Sequence, residues 1–436
     1  MLATDPENKL IPPGPNEAYD LHATQESFDK VSELISTYGD ICRVHSVARS
    51  SDSYLINNPE YIKHVLVKNH TNYTKGVGFE RVKLLLGNGI IVSDGPFWRR
   101  QRRMIQPAFS RQLIASLVDE MRDCNAILLE DWRQKVETGG LVNITEVASE
   151  LALRIVLRTI FGDDLEFINK QSGGNPFAIL TEDSARDMQL VLKYRALRKV
   201  VLATIEMRRE QGIERDDFLG AFMAAKDKDS GETMTNNELI DEVMTLIVAG
   251  HETSACTLNW VWYLLAQDPV AEQKVQSEAD LLPPEGPQFT DLTEMPYSKQ
   301  VVEEALRLYP PVWLFSRKCL KDDRLGEYFV PAGTDIFIAP YFLHRSSEHW
   351  PDPDIFNPDR FAGEVLNQRH KQAFIPFSAG PRRCIGDFFA TVEMQIHMGM
   401  MAREFRLVHV PDKPLELAPD VNLRTRHNFM MRIEKR

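Results

Sequence analysis

Cysteine is scarce and unpaired in this chain. Five occur in 436 residues, at Cys42, Cys124, Cys256, Cys319 and Cys384, with no C-x-x-C pair. An odd total at such spacings excludes a disulfide framework and a zinc ribbon and fits a reducing compartment. Positive charge is also in deficit: 51 Lys and Arg stand against 63 Asp and Glu, a net charge of −12. A general nucleic-acid binder carries a basic footprint, so no nucleic-acid partner is expected. The opening Met1-Leu-Ala-Thr-Asp-Pro-Glu-Asn8 has no basic region followed by an apolar stretch. Neither a signal peptide nor a membrane anchor is expected, and the expected location is the cytoplasm. Gly76-Val-Gly78 and Gly87-Asn-Gly89 lack the third glycine and the strand-turn-helix setting of a dinucleotide site, so no bound flavin or NAD is expected. His251-Glu252 begins like the zinc-protease motif H-E-x-x-H, but its fifth position is Ala255.

What is present is an ordinary globular composition, 43% hydrophobic and 26% charged, enough apolar residues for a large core. Proline-rich segments at 11–15, 283–287 and 351–358 punctuate elements without a shift in composition. No linker or internal repeat appears, so a single domain over 1–436 is expected. The apolar spacing predicts a helix at about 27–38 and short strands near 41–47 and 53–57. From 96 to 280 the period is helical almost throughout. Strand-like runs return at 313–317, 328–339 and 405–434, and 345–383 is rich in turns. Fold class is therefore mainly α with a minor β-sheet. The best-delimited helix runs from Thr235 to about Gln267: Thr235-x-x-Glu238 forms a capping box and Asp268-Pro269 stops it.

Near the C-terminus stands Phe377-Ser-Ala-Gly380-Pro-Arg382-Arg383-Cys384-Ile-Gly386. A lone cysteine before Ile is more often a small buried hydrophobe, and Gly-Pro more often a plain turn. A cysteine between glycines in a short loop also suits a haem-iron thiolate, because glycines let the backbone approach a flat macrocycle. Adjacent arginines would meet acidic propionates and favour the thiolate. The stretch resembles the cysteine loop of the cytochrome P450 family, F-x-x-G-x-R-x-C-x-G, at every fixed position. The resemblance implies that Cys384 is the metal ligand, that Phe377, Gly380, Arg382 and Gly386 contact the cofactor, and that the cofactor is haem b (iron protoporphyrin IX).

The middle of the long helix carries a second pattern, Ala249-Gly250-His251-Glu252-Thr253-Ser254, a glycine and four polar residues among apolar ones. Glycine there costs about 0.5–1 kcal/mol relative to alanine. The plain reading is a tolerated defect in which Thr253 bonds back to the preceding turn. The functional reading is that small Ala249 and Gly250 leave room for a flat ligand and bound oxygen, while Glu252 and Thr253 pass protons. The pattern is similar to the family's central-helix signature, A/G-G-x-D/E-T-T/S. It implies the family fold, with haem between this helix and the cysteine loop, and Glu252 and Thr253 as catalytic residues.

Glu304-x-x-Arg307 puts opposite charges on one helical face, ordinarily a solvated pair worth about 0.2–0.5 kcal/mol. Because Leu308-Tyr-Pro-Pro311 follows and Phe356-Asn-Pro-Asp-Arg360-Phe lies downstream, it resembles the family's E-x-x-R helix. The resemblance implies a structural cluster of Glu304, Arg307 and Arg360, with His344 a candidate fourth member. It also implies propionate contacts from Trp98, Arg102, Arg317 and Arg382. Arg99, Arg100 and Arg103 are expected on a solvated basic face suited to an acidic electron-transfer protein.

By the same resemblance, substrate contacts come from 73–92, the central helix, the turn after Pro311 and the C-terminal hairpin. Those regions offer Phe79, Leu84, Leu85, Leu86, Leu246, Ala249, Val312, Trp313, Leu314 and Val421, although each is equally suited to ordinary core. A hydrophobic small molecule is the expected substrate, O2 the co-substrate, and a separate ferredoxin or flavodoxin with its reductase the electron source, since no reductase is fused. The implied reaction is C–H hydroxylation or epoxidation of a lipid, terpenoid or other natural-product-like molecule. The alternatives are a peroxide-driven peroxygenase, against which intact Glu252-Thr253 argues, and a haem-thiolate sensor, for which no output domain is visible. Two positions depart from the family pattern: Asp387 follows Gly386, and Asn422-Leu-Arg-Thr-Arg-His427 lacks the usual proline. Nothing in the sequence sets the oligomeric state.

Overall fold

The computed structural model describes residues 10–181, 188–363, 370–411 and 413–436. The fold is mainly α with a minor β component. The chain gathers into two compact units, one of Met1–Glu80, Glu303–Cys384 and Leu415–His427, the other of Arg81–Val302, Ile385–Pro414 and Asn428–Arg436. Among the described residues no helix is long and apolar enough to cross a membrane.

The first unit is built on a five-stranded sheet in the order Ile41–Ser46, Ser51–Ile56, Asp335–Ile338, Phe315–Cys319, Tyr73–Lys75. Ser51–Ile56 and Asp335–Ile338 run parallel and the other neighbours antiparallel. Alternation at period two sends Ile41, Tyr54, Ile56, Ile336 and Ile338 to one buried face, and Cys42, Val44, Leu55 and Phe337 to the other. The second face is covered by helix Gln25–Tyr38 through Val31 and Leu34. That helix starts two residues before the sequence reading placed it, because Thr24 caps it and accepts from Ser27 N at 3.3 Å. The expected strand 328–339 is two, Tyr328–Val330 and Asp335–Ile338, separated at the Pro331-Ala-Gly-Thr turn.

Glu304 and Arg307 lie in this unit at the end of helix Pro296–Leu308, and both side chains are wholly buried. The solvated-pair reading is therefore excluded. Arg307 Nε donates to Glu304 Oε2 at 2.6 Å and a terminal nitrogen donates to Oε1 at 2.8 Å, a two-pronged charge-assisted contact. Arg307 also donates to the carbonyls of His344 (2.9 Å), Pro353 (2.6 Å) and Ile355 (3.2 Å). Arg360 Nε stands 3.4 Å from Glu304 Oε1, and Asn357 N donates to the same oxygen at 2.9 Å. His344 joins through its ring, whose Nε2 accepts from Ile375 N at 2.9 Å. A buried charge must satisfy each prong. Two do so by gathering the irregular stretch 344–360, which has little helix or sheet to hold it.

The second unit centres on helix Asn236–Gln267, 32 residues long and so about 48 Å from end to end. Its capping box forms as expected: Thr235 Oγ1 accepts from Glu238 N at 3.3 Å and Glu238 Oε2 accepts from Thr235 N at 2.8 Å. The nearly continuous helix expected over 96–280 is broken, among other places, by strand Leu141–Asn143, which joins Met430–Lys435 and Phe405–His409 in a three-stranded sheet. Helix Asp387–Glu404 has no counterpart in the sequence reading. It is buried at Phe389, at every residue from Val392 to Ala402, and thus on all sides, so it shows no apolar stripe for periodicity to find. Inside it, His397 Nε2 accepts from Trp262 Nε1 at 2.8 Å, so the ring proton is on Nδ1 and is donated to Asn125 Oδ1 at 2.8 Å. Burial holds this imidazole neutral, with its pKa lowered to about 3.

Replacing Arg307 by lysine keeps the charge but removes the fork, leaving Glu304 and three carbonyls short of donors. Denaturant titration of Arg307→Lys is expected to show a loss of at least about 1–3 kcal/mol, the cost of one buried acceptor left unpaired.

Candidate active site

In the first unit, the cysteine loop turns on Gly380, whose φ of +68° suits glycine. A Cβ there would stand 1.9 Å from the carbonyl oxygen of Leu66, so no other residue fits. Arg383 N donates to Gly380 O at 3.0 Å, and Cys384 N reaches back to Phe377 O at 2.9 Å, closing the loop. Cys384 is the exposed cysteine, and Cys42, Cys124, Cys256 and Cys319 are buried. Burial pushes the thiols of Cys42 and Cys124 up to about 12 and raises that of Cys319, which leaves them protonated and inert as ligands. Phe377 and Arg382 are half-buried beside Cys384. Arg317 is buried on strand Phe315–Cys319, where it donates to Ser316 O at 2.9 Å and its guanidinium carbon lies 5.0 Å from the Phe315 ring centre.

Other candidates in this unit divide by exposure. Val421 is 74% exposed and Val312 sits at the margin, 36%. Phe79 is half-buried under the Lys75 ammonium, 4.3 Å from its ring centre. Leu314 packs against the sheet cluster. Trp313 is fully buried, its indole N–H donating to Asp420 O at 2.8 Å and its ring meeting Phe28 edge-on at 5.2 Å. It therefore pins the C-terminal hairpin Leu417–Thr425 to the turn after Pro311, with Leu423 N donating to Pro311 O at 2.8 Å.

In the second unit, the central helix continues unbroken through its polar stretch. Most of it is buried, but Leu246, Ala249, Gly250 and Thr253 are partly exposed. Their spacing of three and four residues sets them on one face. Thr253 Oγ1 donates to Ala249 O at 2.7 Å, the back-bond that the plain reading expected. This leaves its lone pairs free to accept from water. Gly250 is small for a reason within the unit: a Cβ would come 2.9 Å from Val156 Cγ2 on helix Ile144–Phe161. Glu252 is partly exposed, with one oxygen 4.0 Å from His251 Nδ1, and His251 Nε2 meets Ser149 Oγ at 2.9 Å. Trp98 is buried, Arg102 is half-buried one turn along helix Gly95–Ile105, and Gly386 precedes helix Asp387–Glu404.

One expectation on this unit changes, and one residue is added. Arg100 and Arg103 are not an open basic face: Arg100 pairs with Glu238 at 2.7 Å, and Arg103 pairs with Asp227 at 3.0 Å and Asp229 at 2.5 Å. Those acids lie more than 120 residues away in sequence, out of reach of local reading. The added residue is an acid that sequence reading missed. Glu393 is buried on helix Asp387–Glu404 and accepts from Ser254 Oγ, next to Thr253, at 2.9 Å. Desolvation pushes its carboxyl up to about 8, so at neutral pH it is an uncharged acid. Its only sequence signal is a carboxylate in a methionine-rich run whose other polar residues, Gln395 and His397, carry no charge at neutral pH when buried.

An exposed thiol on a glycine-dictated loop, with Arg317 and Arg382 as cationic groups in the same unit, fits a thiolate-ligated haem in its donor chemistry. A family model described as Cytochrome P450 matches residues 17–181 and 175–431. Cyclooctatin synthase of Streptomyces melanosporofaciens is 33% identical over 389 residues, 85% of this chain and 84% of that protein. Cyclooctat-9-en-7-ol 5-monooxygenase of the same organism is 33% identical over 398 residues, with 87% and 85% covered. Pentalenene oxygenase of Streptomyces avermitilis is 30% identical over 403 residues, 88% of each chain.

Glu393 is testable apart from any relative. Its pKa is higher folded than unfolded, so its contribution is fully present below about 4.5 and is lost as pH rises to about 8. Between pH 5 and 8 the unfolding free energy of the wild type is expected to fall on the order of a few kcal/mol more than that of Glu393→Gln, measured by urea titration at each pH.

Proposed function

The chain belongs to the cytochrome P450 family, and from that premise we propose that it is a haem-thiolate monooxygenase inserting one oxygen atom of O2 into a hydrophobic small molecule. Family membership makes it an oxidoreductase and implies, in general, monooxygenase chemistry, a haem cofactor and an external electron source. The observation that carries the finer reading is the cysteine loop: of five cysteines, Cys384 is the exposed one, on a loop whose turn only glycine can make.

In this reading the Cys384 thiolate holds the iron, and Arg102, Arg317, Arg382 and Trp98 bind the propionates. Phe377, Gly380 and Gly386 shape the loop against the macrocycle. Haem b, when bound, supplies the reductive activation of O2, with thiolate donation favouring O–O cleavage. Ala249 and Gly250 leave room on the central helix. Thr253, its own proton engaged by Ala249 O, accepts from a water and orders it, while Glu252, partly exposed beside it, exchanges protons with solvent. Leu246, Phe79, Val312, Leu314 and Val421 provide apolar contact, and Trp313 acts behind them by fixing the hairpin that carries Val421. Relatives named for cyclooctat-9-en-7-ol and pentalenene accord with a lipid, terpenoid or similar natural-product-like substrate, hydroxylated or epoxidised. Electrons come from a separate ferredoxin or flavodoxin with its reductase.

Reduction under carbon monoxide tests the ligand. The red-shifted Soret band of a thiolate-ligated haem is expected in the wild type and is expected to vanish in Cys384→Ala, and its persistence there would remove Cys384 from the role. Thr253→Ala is expected to keep that band while product per electron pair falls by on the order of tenfold or more.

A further inference from the structure

Two adjacent carboxylates on the central helix have no part in the chemistry above, yet they take up two alternate backbone amides of one loop. Asp241 Oδ2 accepts from Asn88 N at 2.7 Å, and Glu242 Oε2 accepts from Ile90 N at 3.0 Å. Gln101, on helix Gly95–Ile105, donates to the other Glu242 oxygen at 3.2 Å. Arg198, on helix Met188–Gln211, stands 2.7 Å from Asp241 Oδ1 and donates to Leu86 O at 3.4 Å. The loop is shaped to the acids. Gly87 has a φ of +80°, and a Cβ on it would lie 2.1 Å from Asp241 Oδ1. A Cβ on Gly89 would lie 2.1 Å from Thr245 Oγ1 and 2.7 Å from Asp241 O. Gly87-Asn-Gly89, which is no dinucleotide motif, thus has its physical reason in this close approach.

We propose that Asp241 and Glu242 are positioning residues that latch loop 87–92, and that ionisation of Glu242 loosens the latch and speeds release of what the pocket holds. The gating half rests on the proposed reading that residues 73–92 contribute substrate contacts, and the latching half does not. Glu242 is buried and Asp241 is not far behind. Charged groups around Glu242 are Asp241 and Glu238 on its own helix, both of which disfavour its charge. Arg100 on helix Gly95–Ile105 is engaged by Glu238 and Gln101, and Arg198 by Asp241. Residues 87–92, Gly-Asn-Gly-Ile-Ile-Val, contribute no charge. Burial dominates the two hydrogen bonds and pushes the carboxyl up to about 7.

The sign follows from linkage. With the loop seated Glu242 is buried and holds its proton to about pH 7. With the loop lifted it meets water and returns toward an ordinary carboxyl value near 4.3. The seated form binds more protons between these values, so it is fully favoured at the acid end and weakens as pH rises to about 7 and above.

Hydrogen exchange of the haem-loaded protein reads this directly. The Ile90 amide, corrected for intrinsic exchange, is expected to be about tenfold better protected at pH 6 than at pH 8 in the wild type, and equally protected at both in Glu242→Gln, which mimics the protonated acid. Wild-type protection that does not change with pH, or a pH response that survives in Glu242→Gln, would overturn the latch. Stopped-flow release of 4-phenylimidazole, followed at the Soret band, is expected to be about tenfold faster at pH 8 than at pH 6. Release at one rate alongside pH-dependent exchange would overturn the gating role alone, and a protein that takes up no haem would overturn the haem reading instead.

Discussion

The paired burial of Glu304 and Arg307 is the constraint on which the first unit depends. Two charges removed from water are stable only if every prong is matched, and here the matching groups come from residues 344–360. From that point the bonding runs on to the cysteine without a gap. Arg307 holds the His344 carbonyl, the His344 ring holds Ile375 N, Ile375 O holds Ser378 N, and Phe377 O holds Cys384 N. A helix-borne pair thus fixes, through one histidine, the position of a thiol 77 residues further along. The glycine at 380 completes the path by letting the loop pass against the Leu66 carbonyl.

In the second unit the same economy of buried polar groups recurs with a different result. His397 is satisfied on both ring nitrogens and stays neutral, so it locks three helices. Glu393 and Glu242 are satisfied by fewer donors than their burial demands, and their pKa values rise to about 8 and about 7. They place proton-sensitive groups on the two sides of the polar stretch of the central helix, at residue 254 and at residue 242. Full satisfaction yields rigidity, and partial satisfaction yields a response to pH.

How much of this was legible in the sequence varied with how local the cause was. The central helix was read correctly because its start is written in four residues, Thr235 to Glu238, and its stop in two. The strand pair at 41–56 was legible for a similar reason. Glu304-x-x-Arg307 was visible as a pattern, but its burial was not, since that depends on carbonyls 37 to 48 residues away. Helix Asp387–Glu404 was invisible because a helix buried all round carries no periodic stripe. Arg100 and Arg103 looked like a solvated basic face because their acidic partners arrive from 227, 229 and 238. Trp313, read as a pocket candidate, turned out to be held by the Asp420 carbonyl, a backbone group that no residue pattern announces.

The most direct test of the path from Glu304 to Cys384 is residue-resolved hydrogen exchange in Glu304→Gln. The amides of Ile375 and Cys384 are expected to lose protection while that of Leu55, in the five-stranded sheet, keeps it. Equal loss at all three, or no loss at Ile375 and Cys384, would contradict the dependence of the cysteine loop on the buried pair.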